Sequence, residues 1–274
     1  MLSSHYQKVR NNLRAICHVL QLGGTLRSGI LYPFRRKFSQ DARCHVDFKN
    51  TVSMTSPPDV PLLDLIEEIW VRDSYTRNNL KLRPGAVVID IGANIGAFTV
   101  LVARANPMAR IIAVEPDPQN VAFLSRNLFQ NGVTNVSVVP VACGGEKGDG
   151  TIYDRGSGAL HSLFSNDMQG NISPPLYQTP IVTLEELFDQ YSVERCDLLK
   201  IDCEGSEYDI LFNSSVETLS RISKIALEYH VGFNEHSPAA LERFLRKAGF
   251  EVECLPMRQD GTGFLYASQP TTYA

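Results

Sequence analysis

The chain has 274 residues with 26 lysines and arginines against 30 aspartates and glutamates, a net charge of -4, and 43% hydrophobic content. That length suits one substantial α/β domain with an appendage, and the composition excludes a disordered protein. The acidic balance argues against a general nucleic-acid binder, and no apolar run approaches the roughly 18 residues that a bilayer span needs.

In chain order, residues 1–60 form a basic extension. No acidic residue precedes Asp41, whereas Lys8, Arg10, Arg14, Arg27, Arg35, Arg36 and Lys37 are basic. Val9, Leu13, Ile16 and Leu20 follow helical spacing with Arg10 and Arg14 on another face, which predicts an N-terminal helix. Its apolar stretch is short and interrupted by His18 and Gln21, which excludes a secretory signal. A solvated helix on the main domain goes with a cytoplasmic protein. A transit peptide or lipid-touching patch goes with an organellar or membrane-peripheral one. Six cysteines without CxxC spacing give neither a zinc site nor a disulfide framework, and suit a reducing compartment.

The stretch 51–61, rich in Ser and Pro, reads as a linker before a helix over 62–75. After Pro84-Gly85 strands and helices alternate. Strands are predicted at 86–91, 110–114, 136–141, 197–201, 222–229, 250–254 and 263–267, and helices at 95–105, 118–131, 184–191, 206–212 and 238–248. This rhythm implies a parallel sheet with right-handed crossovers, whereas the short polar loop between the last two strands suits an antiparallel hairpin. Residues 144–180 lack the rhythm and are expected as an inserted loop or short strands over the site. Residues 61–268 then form the main domain and 269–274 a flexible tail.

In an open α/β sheet, ligands collect beyond the carboxyl ends of the strands. VVIDIGANIGAFTV, residues 87–100, places Asp90 two residues before Gly92, then Ala93, Asn94 and Gly96, before a helix start. A pyrophosphate site would want GxGxxG and no fixed carboxylate. A sulfonium and an ammonium group are suited by that carboxylate, and a ligand carboxylate by the next helix start. The following strand ends in IIAVEPDP, so Glu115 stands where an acid accepts ribose hydroxyls, with Pro116 against the adenine; Ala142, after the third strand, faces the adenine edge. S-adenosylmethionine meets all of these requirements.

VTLEELF, KIDCEGSEYDIL and IALEYH, with DIGANIGAF and VEPDP upstream, resemble the FkbM-type S-adenosylmethionine-dependent methyltransferases over about residues 65–250. The resemblance implies a Rossmann-like class I methyltransferase, α/β, with a mostly parallel seven-stranded sheet ending in an antiparallel hairpin. It also implies methylation of a hydroxyl oxygen on a sugar or secondary metabolite, a small-molecule or glycan acceptor. A partner subunit that binds the cofactor without catalysis is the alternative.

Methyl transfer to an aliphatic hydroxyl needs in-line alignment and a base. Asp202 and Glu204 follow the fourth strand; Glu228 and His230 share one face at the end of the fifth. His230 leads as base because imidazole accepts a proton near neutral pH, with Asp202 its competitor. Asp202 and Glu204 also suit helix entry, and Glu207 reads as a first-turn helix residue only. Asp202 with Glu228 could present oxygens to magnesium, but spacing offers no third ligand. His161, in a loop, is a further candidate near the acceptor.

Overall fold

The computed structural model describes residues 44–47, 52–57, 60–77, 80–154, 161–165, 171–233 and 235–270. The basic segment of the extension and the predicted helix within it lie outside those residues. In chain order the strands begin with β1 (Cys44–Asp47) and β2 (Ser53–Ser56), an antiparallel pair. Helix α1 (Leu62–Ile66) follows and runs into a π-turn at Glu67–Val71. The predicted single helix over 62–75 thus stops early. Arg72 N–H bonds back five residues to Glu67 O, and Trp70 Nε1 donates to Ala97 O at 2.9 Å, tying the widened turn to the domain.

The central run VVIDI forms β3 (Val87–Ile91), buried at every position, as expected where both faces of a parallel strand are covered. It is followed by α2 (Ala97–Ala105), β4 (Arg110–Val114), α3 (Pro118–Gln130) and β5 (Val136–Val139). Helix α3 begins with Asp117 accepting from Asn120 N–H and Pro118 in its first turn, which satisfies an otherwise unpaired donor. The predicted strand over 136–141 divides at Pro140, which has no N–H to donate. Its remainder, β6 (Ala142–Cys143), joins a different sheet with β7 (Gly148–Asp154), β8 (His161–Ser162) and β9 (Pro175–Val182), in the order β6-β9-β7-β8. The region without rhythm thus contains strands among its described residues.

Next come α4 (Leu184–Gln190), β10 (Leu198–Ile201), α5 (Glu207–Phe212), α6 (Val216–Ser220), β11 (Lys224–His230), α7 (Pro238–Lys247), β12 (Glu251–Cys254) and β13 (Thr262–Ser268). Helix α4 opens with a Thr183/Glu186 capping box. The main sheet has seven strands in the order β12-β13-β11-β10-β3-β4-β5. β11, β10, β3, β4 and β5 pair in parallel, and β13 is antiparallel to both β11 and β12. Apolar cores fill both faces: one under α1, α2 and α3, the other under α4, α5 and α7.

The stretch read as a linker is partly built into the domain. Ser53 and Thr55 N–H donate to the side-chain oxygens of Asn131 and Asn127, each at 2.9 Å, and Met54 is buried. Asn127 Nδ2 also donates to Thr55 O and Ile95 O. Among the described residues no helix is long and apolar enough to cross a membrane, and Cys143, Cys196, Cys203 and Cys254 are free thiols.

Candidate active site

The parallel strands β3, β4, β10 and β11 all point their carboxyl ends at one cavity of about 800 Å³. A larger groove, about 1140 Å³, lies by the amino ends of β10 and β11 and the antiparallel edge, away from the sequence-predicted site residues. The first cavity is lined by Gly92, Ala93, Asn94, Glu115, Pro116, Ala142, Asp202, Glu204, Glu228 and His230, so ten of the twelve residues expected at the site meet there. His161 lines it too, with Nδ1 3.5 Å from Asp117 Oδ2.

Asp90 and Gly96 do not line it. Asp90 is fully buried; Lys200 Nζ lies 3.1 Å from its Oδ1 and Thr99 Oγ1 donates to its Oδ2. Its charge is thus met by the protein instead of being offered to a ligand. Lys200 also donates to Gly92 O at 2.7 Å and Ile91 O at 3.3 Å, so the buried pair fixes the glycine turn from beneath. Burial works against the Lys200 charge, but Asp90 and Asp202 outweigh it and hold the ammonium above its usual pKa.

The two glycines have separate reasons. Gly92 has φ +74°, and a Cβ there would stand 1.7 Å from Asp202 O, so the first turn touches the backbone at the end of β10. Gly96, at φ +87°, starts α2 with its Cα against Leu124, where a Cβ would meet Cδ1 at 2.4 Å.

Glu115 is buried with both oxygens facing donors: Oε2 accepts from Asn94 N–H at 2.7 Å, Oε1 from Asp117 N–H at 3.0 Å and Asn120 Nδ2 at 3.4 Å. Burial pushes its carboxyl up to about 7, against the pull of those N–H groups. Oε2, with one donor, keeps capacity for a hydroxyl, and Oε1 could take one in place of the long Asn120 contact. An acid on β4, small residues Gly92 and Ala93 on the turn, and Pro116 with Ala142 beyond them fit S-adenosylmethionine in both shape and donor set.

Opposite this half, the reacting groups form two clusters. In the first, the buried Tyr75 hydroxyl donates to Asp202 Oδ2 at 2.9 Å and lies 3.3 Å from Glu228 Oε2. Arg258 bonds Glu228 Oε1 at 2.9 Å and Glu68 Oε1 at 3.1 Å. Burial, then Asp202 and Glu68, push the Glu228 carboxyl up to about 8. Arg258 and Tyr75 stand beside the two Glu228 oxygens, so a magnesium ion shared by Glu228 and Asp202 would have to compete with the Arg258 charge.

In the second cluster, His230 Nδ1 lies 2.9 Å from Glu207 Oε1, and Nε2 lies 3.5 Å from Glu204 Oε2. Glu207 is itself fully buried and accepts from Cys203 N–H and Gly205 N–H. Burial disfavours the imidazolium, yet Glu207 and then Glu204 outweigh it and raise the His230 pKa well above the ordinary value. Both His230 nitrogens face glutamates, whereas the Asp202 carboxylate is partly exposed on the cavity.

Tyr75, Lys200, Glu207, Arg258 and Glu68 were not among the sequence candidates. A lysine inside the apolar strand LLKI was a legible signal, because a buried cation requires a partner, and parallel register sets Lys200 beside Asp90. Glu207 was hidden by its helix-start position. Tyr75, Glu68 and Arg258 arrive from segments distant in sequence, with no motif to announce them.

A model of the methyltransferase FkbM domain matches residues 90–252. Over 229 residues the chain is 28% identical to the antimetabolite synthetase AmbE of Pseudomonas aeruginosa, covering 71% of this chain and 11% of that one, so it spans only about a tenth of that relative. It is 28% identical over 192 residues to the 31-O-demethyl-FK506 methyltransferase FkbM of Streptomyces tacrolimicus, covering 61% and 74% of the two chains. It is 26% identical over 200 residues to the methyltransferase sdnD of Sordaria araneosa, covering 60% and 73%. Among solved structures, the METTL16 methyltransferase domain aligns with TM-score 0.48 at 16% identity, covering 89% of this chain and 79% of that one. M. jannaschii TYW2 in complex with AdoMet aligns with TM-score 0.47 at 14% identity, covering 84% and 87%.

Proposed function

Because the chain belongs to the FkbM family of S-adenosylmethionine-dependent methyltransferases, we propose that it transfers the methyl group to a hydroxyl oxygen of a small molecule or glycan. The observation that carries this reading is the Asp202 carboxylate on the cavity wall, fixed by the Tyr75 hydroxyl and joined through backbone contact to the Gly92 turn. In this reading Glu115 accepts the ribose hydroxyls, Pro116 and Ala142 border the adenine, and the first turn of α2, with Ala97 and Phe98 on the cavity, meets the methionyl carboxylate.

When bound, S-adenosylmethionine would supply the methyl group and depart as the neutral thioether. Asp202 would take the proton of the acceptor hydroxyl as that oxygen gains the methyl. The acidic lining around the methyl favours the sulfonium before transfer. The test is incubation of cell extract with the protein and methyl-labelled S-adenosylmethionine, followed by mass spectrometry and NMR of labelled products. A label on oxygen is the expected result. A label on nitrogen or carbon removes the O-methyl reading, and cofactor binding without any labelled product supports the non-catalytic partner instead.

Glu115 gives a pH signature. Its folded carboxyl is raised to about 7, so the free protein has stability that is present at low pH and declines as pH rises through that value. The ribose hydroxyls donate to the ionised form, so cofactor affinity moves the other way. The dissociation constant for S-adenosylhomocysteine is expected to fall about tenfold between pH 6 and pH 8 by calorimetry. Glu115→Gln binds more weakly and flattens the profile; an unchanged profile in that variant removes Glu115 from the ribose role.

A further inference from the structure

One gap between the two clusters has the dimensions of a metal ion. His230 Nε2 and Glu204 Oε2 face each other 3.5 Å apart, with room for either a proton or a metal ion between them. An N–H···O bond brings its heavy atoms to roughly 2.7–3.2 Å. Two ligands held tetrahedrally at about 2.1 Å from one ion are instead about 3.4 Å apart. A ligand atom of Asp202 joins these two, with all three atoms within 4.8 Å of one another.

Behind His230 stands the partner that a ligating imidazole normally has. Glu207 Oε1 meets Nδ1 at 2.9 Å, and Cys203 and Gly205 N–H groups hold that carboxylate in turn. This arrangement fixes the ring with Nε2 turned to the cavity. Lys200 is not placed to serve these ligands, because its Nζ is 3.8 Å from Asp202 Oδ2 and committed to Asp90 and Gly92 O. Among the described residues, acidic side chains along the cavity also outnumber its two fixed cations, Lys200 and Arg258.

We propose that Asp202, Glu204 and His230 bind a divalent first-row transition-metal ion, with Glu207 as the residue that positions His230. Two carboxylates and one imidazole suit manganese, iron or zinc better than magnesium, for which imidazole is a poor ligand. Three protein ligands leave coordination positions open. Resting on the hydroxyl-methylation reading, the acceptor oxygen takes one of them and its proton becomes more acidic. One oxygen of Asp202 then ligates while the other, held by Tyr75, accepts that proton. The proton on Nε2 and the metal compete for the same nitrogen and the same Glu204 partner.

The test titrates Mn²⁺ into EDTA-stripped full-length protein, with free Mn²⁺ followed by electron paramagnetic resonance, and S-adenosylhomocysteine binding measured separately by calorimetry. A single equivalent bound by the native chain is expected, weakened about tenfold or more by Glu204→Gln and about 10–100-fold by Glu207→Gln. Circular dichroism checks that both variants are folded, and Co²⁺ absorption provides a second probe of the native protein. Absence of Mn²⁺ and Co²⁺ binding at millimolar metal, or binding undiminished in folded Glu204→Gln, overturns the proposal and leaves the three residues as an ion-pair clamp. Metal binding without S-adenosylhomocysteine binding supports the metal site and removes the cofactor reading; the reverse result does the opposite.

Discussion

Lys200→Met is expected to lower the melting temperature by about 10 °C, the largest stability loss of any single exchange at the site. The substitution keeps the bulk of the side chain and removes the charge 3.1 Å from Asp90, in a place where Lys200 is only 3% exposed and Asp90 not at all. Stranding one partner of a buried pair costs about 3–5 kcal/mol, and a domain of this size loses roughly 2–4 °C per kcal/mol. The turn carbonyls of Ile91 and Gly92 lose their donor as well. Adding Asp90→Asn to Lys200→Met should recover much of the loss, because no uncompensated charge then remains. Thermal melts of the two single variants and the double variant measure the coupling. Strict additivity, with the double variant melting below both singles, would contradict the pairing.

The largest loss of turnover is expected from Asp202→Asn. The amide preserves volume and can still meet the Tyr75 hydroxyl, but it cannot take a proton. Turnover should fall about 10²–10⁴-fold. Affinity for S-adenosylhomocysteine should change little, because Gly92 touches the Asp202 backbone and not its carboxylate. Steady-state rates on the identified acceptor, set beside calorimetry, separate the two effects. Turnover within tenfold of native would assign proton acceptance to another group.

The main sheet was readable because its signals are local. Continuous apolar runs mark β3, β4 and β10, and Asp117-Pro118 and Thr183 with Glu186 mark helix starts. The division at Pro140 and the sheet of β6 to β9 were not, since β6 and β8 have two residues each and β7 and β9 are mostly half-buried or exposed and pair across a distance in sequence. Most of the site followed from strand ends, where topology alone gathers residues. What each side chain does depended on partners that the motifs do not contain. Asp90 was read as facing the ligand, but Lys200 turns it inward. Glu207 looked like helix-start chemistry, but its position one turn from Cys203 puts it beneath His230. The widened turn at Glu67–Val71 was invisible because its sequence continues the helical pattern; the bond from Trp70 to Ala97 is a tertiary event.

The contact between Gly92 and the Asp202 carbonyl has a consequence for how such a protein diversifies. With no room for even a methyl group between them, donor cradle and proton acceptor form one part that cannot be retuned piecemeal. The opposite wall comes from separate pieces: the π-turn with Glu68 and Ile69, the loop of Ile172 to Pro174, and Arg258 after β12. Those pieces can be exchanged one at a time without disturbing the distance from sulfonium to carboxylate. A new acceptor then calls for a new wall around an unaltered engine, and the sequence differences that decide the acceptor should concentrate in those three segments.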